Sequence, residues 1–140
     1  MSTQAILRNL RIMYALYLIT IPLFLCALVL MRPQERHVPL AITVSLVALS
    51  GWLIFIALSF RSRKILPALE MLRRNPEDAA ALSNWYVGNV TSFAFAETIV
   101  LFGVVLKLFG AGWKVAGVFF ALGVFLFLVW TPRLDLPTAS

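Results

Sequence analysis

Charge is what this sequence has least of. Of its 140 residues only 13% are Asp, Glu, Lys or Arg, where a soluble domain carries about 25%. Hydrophobic residues make up 61%, and the mean hydropathy is +0.93. That balance excludes a large soluble enzyme domain and a disordered tail alike. A single cysteine, Cys26, rules out an internal disulfide scaffold, and its place inside an apolar stretch marks it for packing. A single histidine, His37, sits beside Arg36 and reads as a polar residue at a membrane edge rather than a haem or pigment ligand. No phosphate loop, zinc-ligand spacing or nucleophile triad occurs, so neither an enzyme nor a bound metal or cofactor is expected. Basic residues outnumber acids twelve to six, but they are scattered between apolar runs instead of gathered on one face. They suit anchoring at a membrane edge, not nucleic acid.

What the chain has in quantity is long uncharged runs. Ile12 to Met31 gives twenty such residues and Val38 to Phe60 gives 23, each enough for one helical span of about 20 residues. Pro22 interrupts the first and is expected to bend it. Arg8 and Arg11 precede that first run, but its span length and the lack of an Ala-x-Ala site argue against a cleaved leader. A third span runs from Trp85 to Leu106, and a fourth reaches full length only if it starts near Trp113, with Lys114 snorkelling to the headgroups. Gly110-Ala111-Gly112 supplies the turn between them. The expected fold is therefore all-α: an integral membrane four-helix bundle, one domain, with spans at about 12–31, 38–60, 85–106 and 112–130.

Orientation follows from the basic residues. Arg8, Arg11, Arg61, Arg63, Lys64, Arg73, Arg74 and Arg133 share one side, and Arg32, Arg36, Lys107 and Lys114 the other. The excess places both termini and the 61–84 connection in the cytoplasm, with a bacterial plasma membrane as the expected location. Within that connection Ile65, Leu66, Leu69 and Leu72 share one helical face, which suits a segment lying along the interface or a solvated linker with basic anchors. Pro67 disfavours a helical residue 66, so the second span is expected to stop there and a short separate helix to follow. Asn75-Pro76-Glu77-Asp78 then reads as a helix start, with Asn75 as cap, proline in the first position and two acids facing the dipole. Continued to Phe109, that helix exceeds the hydrocarbon thickness, so its first turns should extend into the cytoplasm.

Glu97 is the candidate for chemistry. It is the thirteenth of 22 residues in span three, with no other ionisable acid or base at that depth. A charged side chain at mid-span costs about 2.5 to 3.5 kcal/mol, so a neutral, protonated carboxyl is expected at rest. Gly88, Ser92, Ala96 and Gly103 form a strip of small residues that lets another helix approach, with Glu97 about 100° around the wheel from Ala96. Tyr14, Tyr17, Ser45 and Ser50 are the expected hydrogen-bond partners across that seam. The tryptophans at 85, 113 and 130 read as interface anchors, whereas Trp52 falls near mid-span.

Arg74-Asn75-Pro76-Glu77 followed by Glu97-Thr98 and the run to Val105 resembles the polar loop and carboxylate helix of the rotary ATP synthase c-subunit (proteolipid) family. The resemblance covers residues 74–105 and includes Gly103, six residues after the acid. It implies that Glu97, with Thr98 as its hydroxyl neighbour, carries a proton or ion, and that Arg74 and Pro76 belong to a loop meeting another subunit. One acid alone makes no transmembrane relay, however. The leading expectation is therefore a non-catalytic subunit or interaction protein of a larger membrane complex, partnered by lipids and by other subunits or copies of itself. A self-assembling proton or ion carrier using Glu97 is the rival. A small transporter or lipid-binding protein using the cleft beside Gly88 to Gly103 is the third reading.

Overall fold

Long uninterrupted runs of apolar and straight-chain residues give the chain little choice but helix, and its computed structural model, which describes residues 3–131, contains no strand among them. Arg133, counted above with the cytoplasmic residues, lies outside the described residues. Helix α1 spans Thr3–Met31 and continues through Pro22. Helix α2 spans Leu40–Phe60, α3 Leu66–Arg74, α4 Ala79–Leu108 and α5 Trp113–Val129. The segments Gln4–Met31, Leu40–Arg74 and Ala79–Leu108 are long and apolar enough to cross a membrane. Helix α5, with 17 residues, reaches about 25 Å at 1.5 Å per residue, short of a hydrocarbon core of about 30 Å.

The expected break before Pro67 is absent. Helices α2 and α3 are joined without interruption by a π-helical turn, Arg61–Ile65, and Leu66 itself has helical φ −63° and ψ −48°. Proline clashes with the carbonyl four residues back, here that of Arg63, and brings no N–H to bond it. The wide turn accommodates both problems: the Leu66 N–H reaches back five residues to the Arg61 carbonyl, and the rod continues. The apolar face also differs from the expected one. Ile65, Ala68 and Leu72 are buried, whereas Leu66 points outward. Helix α3 thus packs on α4 instead of trailing as a linker.

The start of α4 lies three residues later than expected. Asp78, not Asn75, is the cap, its Oδ1 accepting from the N–H groups of Ala80 at 3.0 Å and Ala81 at 2.9 Å. Asn75 closes the preceding turn, its Oδ1 accepting from the Glu77 N–H at 3.3 Å. An aspartate whose own backbone is extended caps a helix directly, which leaves no acid in the first turn of α4.

Helix α4 is the hub. It packs against α1, α2, α3, the π turn and α5, while α1 and α2, though consecutive, do not pack on each other. Met13 meets Tyr86, Tyr17 meets Phe93 and Thr20 meets Glu97, so α1 and α4 advance in parallel. Helix α5 returns antiparallel: a Cβ on Gly103 would lie 3.0 Å from the Ala116 carbonyl oxygen and 3.1 Å from Phe119 Cβ, and one on Gly123 would strike Val100. Tyr14, Tyr17, Phe93 and Phe127 tie α1, α4 and α5 together, the Tyr14 and Phe93 rings at 5.3 Å and the Phe93 and Phe127 rings stacked at 6.0 Å.

Candidate functional site

Glu97 projects from the middle of α4 at the border between the packed and the open sides of that helix, and it is half-buried. Its Oε1 accepts one hydrogen bond, from Thr20 Oγ1 of α1 at 3.1 Å. The Thr20 hydroxyl is also 2.6 Å from the Tyr17 carbonyl, so its single proton is shared between that carbonyl and the carboxyl. None of the four expected partners bonds Glu97. Tyr14 instead meets the Phe127 carbonyl at 3.3 Å and Thr131 Oγ1 at 3.1 Å, and Ser50 returns its proton to the Leu46 carbonyl at 2.8 Å. Thr20 was the missed residue, although it is the polar side chain nearest the middle of the first apolar run. Thr98 donates to the Ala94 carbonyl at 2.8 Å, so its hydroxyl proton is turned back onto its own helix.

The small-residue strip is buried but does not serve one neighbour. Gly88 admits Ile65 of the π turn, where a Cβ would lie 2.5 Å from Ile65 Cγ1, while Ala96 and Gly103 admit α5. Ser92 donates to the Gly88 carbonyl at 2.9 Å. The strip is therefore filled from within the chain at Gly88, Ala96 and Gly103. What stays open is a different stripe of α4. Val87, Ala94, Leu101, Val105 and Leu108 are exposed, with Thr91 and Thr98 half-buried among them. Their steps of four and three residues put all seven on one side of the helix, in the gap left because α1 and α2 do not meet.

The loop motif lies away from Glu97, at the end of the molecule where α3 turns into α4. Arg74 pairs with Glu70 at 3.2 Å on the exposed side of α3, and Arg74, Asn75, Pro76 and Glu77 are all exposed.

Two charged residues expected only to mark membrane orientation are built into the fold. Lys107, 2% exposed at the end of α4, donates to Glu35 at 3.1 Å and to the Ala111 carbonyl at 3.1 Å, with Trp113 4.8 Å away. Here the loop between α1 and α2 is pinned to the turn between α4 and α5, the Arg36 N–H donating to the Gly110 carbonyl at 2.9 Å. Gly110 has φ +101°, and a Cβ there would come within 2.8 Å of the Arg36 nitrogen, so glycine is required on both counts. At the opposite end Arg61 lies half-buried in the π turn, its guanidinium carbon 5.5 Å from the centre of the Trp130 ring.

The aromatic and thiol expectations change accordingly. Trp85 and Trp130 are buried at 1% and 2% exposure, so they are core residues and not anchors, while Cys26 is exposed and not packed. No cluster of metal-ligating side chains occurs among the described residues. No protein-family model, curated protein or solved structure matches the chain.

Proposed function

We propose that the chain is a non-catalytic integral subunit of a larger membrane assembly and that the open stripe of α4 receives a transmembrane helix of another subunit. The observation that carries this reading is Glu97. If α4 crosses the bilayer, a carboxyl near mid-span is left half-covered with a single threonine hydroxyl for company. A carboxyl that ionises at that depth costs about 2.5 to 3.5 kcal/mol, while one hydrogen bond returns about 0.5 to 1.5 kcal/mol. A helix seated against Thr91, Ala94 and Thr98 removes the shortfall by bringing a hydrogen-bonding or basic side chain of its own to the carboxyl. Small and hydroxyl side chains at those positions favour close approach of its backbone.

Native mass spectrometry of the tagged protein, extracted gently from its own membranes, tests this directly. Co-purification of unlike subunits in fixed ratio is the expected result. Release as a lone monomer, or as copies of itself only, would refute the reading.

A second reading rests on the same residue. Glu97 borders a lipid-open stripe, which is where a carboxyl that loads and unloads protons against a moving neighbour would have to be, as the proteolipid resemblance implies. A closed ring of identical copies would favour it. So would labelling of Glu97 by dicyclohexylcarbodiimide that is faster in mildly acidic than in alkaline buffer, because the reagent attacks the protonated acid. Absence of labelling in native membranes would dispose of this carrier reading.

A further inference from the structure

Among the described residues, the cleft around Arg61 is the one place where a cation is built into the fold without an anion. The ion pairs among the described residues are Glu70 with Arg74 and Glu35 with Lys107, and neither involves Arg61. One of its terminal guanidinium nitrogens is buried and finds no hydrogen-bond acceptor. Trp130 lies under the guanidinium but answers only its face, since the N–H donors point outward in the guanidinium plane. Leaving such a donor buried and unmet is costly, more so for a charged group.

The space beside it is an open cleft of about 310 Å³, where one water occupies about 30 Å³ of liquid. Asn89 and Thr131 line it together with apolar Ile65, Leu69 and Val129. Leu66, Leu128 and Val129 carry that apolar surface outward, since all three are exposed by more than half. A ligand that fits is therefore an amphiphile with an anionic head and an apolar body. The segment from Arg61 to Arg74 holds five basic residues and one acid, so the approach to the cleft attracts negative charge. The π turn explains why the cation is here: Pro67 forces the wide turn, and Gly88 lets Ile65 seat against α4.

We infer that this cleft holds the phosphate of a membrane phospholipid, with the Arg61 guanidinium donating to its oxygens and an acyl chain lying along Leu66, Leu128 and Val129. The inference rests on the membrane placement of the proposed function but not on any partner subunit. A phosphodiester in the cleft pairs the uncompensated guanidinium charge in a charge-assisted bond, and planar arginine is the side chain best suited to it.

The experiment uses the full chain, purified in detergent and exchanged into nanodiscs of phosphatidylglycerol with phosphatidylcholine, followed by native mass spectrometry during stepwise delipidation. Wild type should keep one phospholipid per chain after the bulk lipid is gone. Arg61→Ala should lower the retained fraction about tenfold or more, the loss expected for a charge-assisted hydrogen bond. Arg63→Ala, at an exposed neighbour, should leave it unchanged. Leu69→Trp narrows the cleft with Arg61 intact, so it should also expel the lipid and guards against a folding defect in the arginine variant. Circular dichroism and gel filtration establish that each variant is folded. Equal retention by wild type and both cleft variants would overturn the inference. So would displacement of the lipid by millimolar inorganic phosphate, which would make the ligand a free phosphate. Failure of the membrane placement itself would show separately, as release of the chain from membranes by alkaline carbonate.

Discussion

The buried Lys107 shows how far the cost of a charge depends on which partner is removed. Its ammonium is 2% exposed, whereas the side chain of Glu35 is 64% exposed. Replacing the lysine leaves a carboxylate already in contact with solvent. Replacing the glutamate strands a cation with only the Ala111 carbonyl at 3.1 Å and the Trp113 ring. Glu35→Ala should therefore destabilise the fold by about 1 to 3 kcal/mol, and Lys107→Met by less, because methionine refills the packed volume without a charge. Thermal unfolding in detergent reads the order, and a larger loss for Lys107→Met would contradict it. At Glu97 the expectation is of a different kind. Glu97→Gln keeps an acceptor for the Thr20 hydroxyl at 3.1 Å, so stability and assembly should change by no more than about 0.5 kcal/mol. Gross loss of assembly in blue native gels would show that the ionisable proton, not the hydrogen bond, is what the residue supplies.

At the scale of the helix, α5 offers two glycines that look alike in sequence and differ in space. A Cβ at Gly117 meets nothing within 4 Å, while one at Gly123 would run into Val100 on α4. Gly117→Ala should stabilise by about 0.5 to 1 kcal/mol, since alanine is the better helix former and loses less backbone entropy. Gly123→Ala should destabilise by about 1 to 3 kcal/mol through overpacking. Opposite shifts in melting temperature are the expected result, and the same sign for both would mean that α4 and α5 are not packed this closely. The contrast also shows what could be read from one chain. Run length and charge located three long apolar helices, because burying or exposing twenty apolar residues is too large an effect for context to reverse, whereas the fourth expected span is a helix of only 17 residues. Helix termini were harder: Asn75 and Asp78 are both sound caps, and only the backbone decides between them. The π turn was hidden because Pro67 announces a problem for the helix without saying whether the chain breaks or widens. Of the candidate site, Glu97 stood out by depth alone, yet Thr20, Arg61 and Lys107 did not, since which residues face each other depends on helix rotation that hydropathy does not encode.

For the molecule as a whole, the alternation of its ends is the property most open to test. The loop between α1 and α2 meets the turn between α4 and α5, as the Arg36 to Gly110 hydrogen bond shows. At the far end Tyr86 of α4 meets Met13 of α1, Tyr14 of α1 meets Thr131 just after α5, and Arg61 of the π turn stacks on Trp130. If the long helices cross a bilayer, Gln34 and Ser62 must then lie on opposite faces, and the excess of basic residues puts Ser62 inside. Cys26 is exposed on α1, so it is first replaced by serine to give a thiol-free background. Gln34→Cys should then react with a membrane-impermeant maleimide added to intact cells, and Ser62→Cys only after permeabilisation. The reverse pattern would invert the orientation and carry the Arg61 cleft to the outer leaflet. Labelling of both positions in intact cells would be incompatible with this fold in a membrane, because α2 with its 21 uncharged residues lies between them and leaves no way for both ends to share one side.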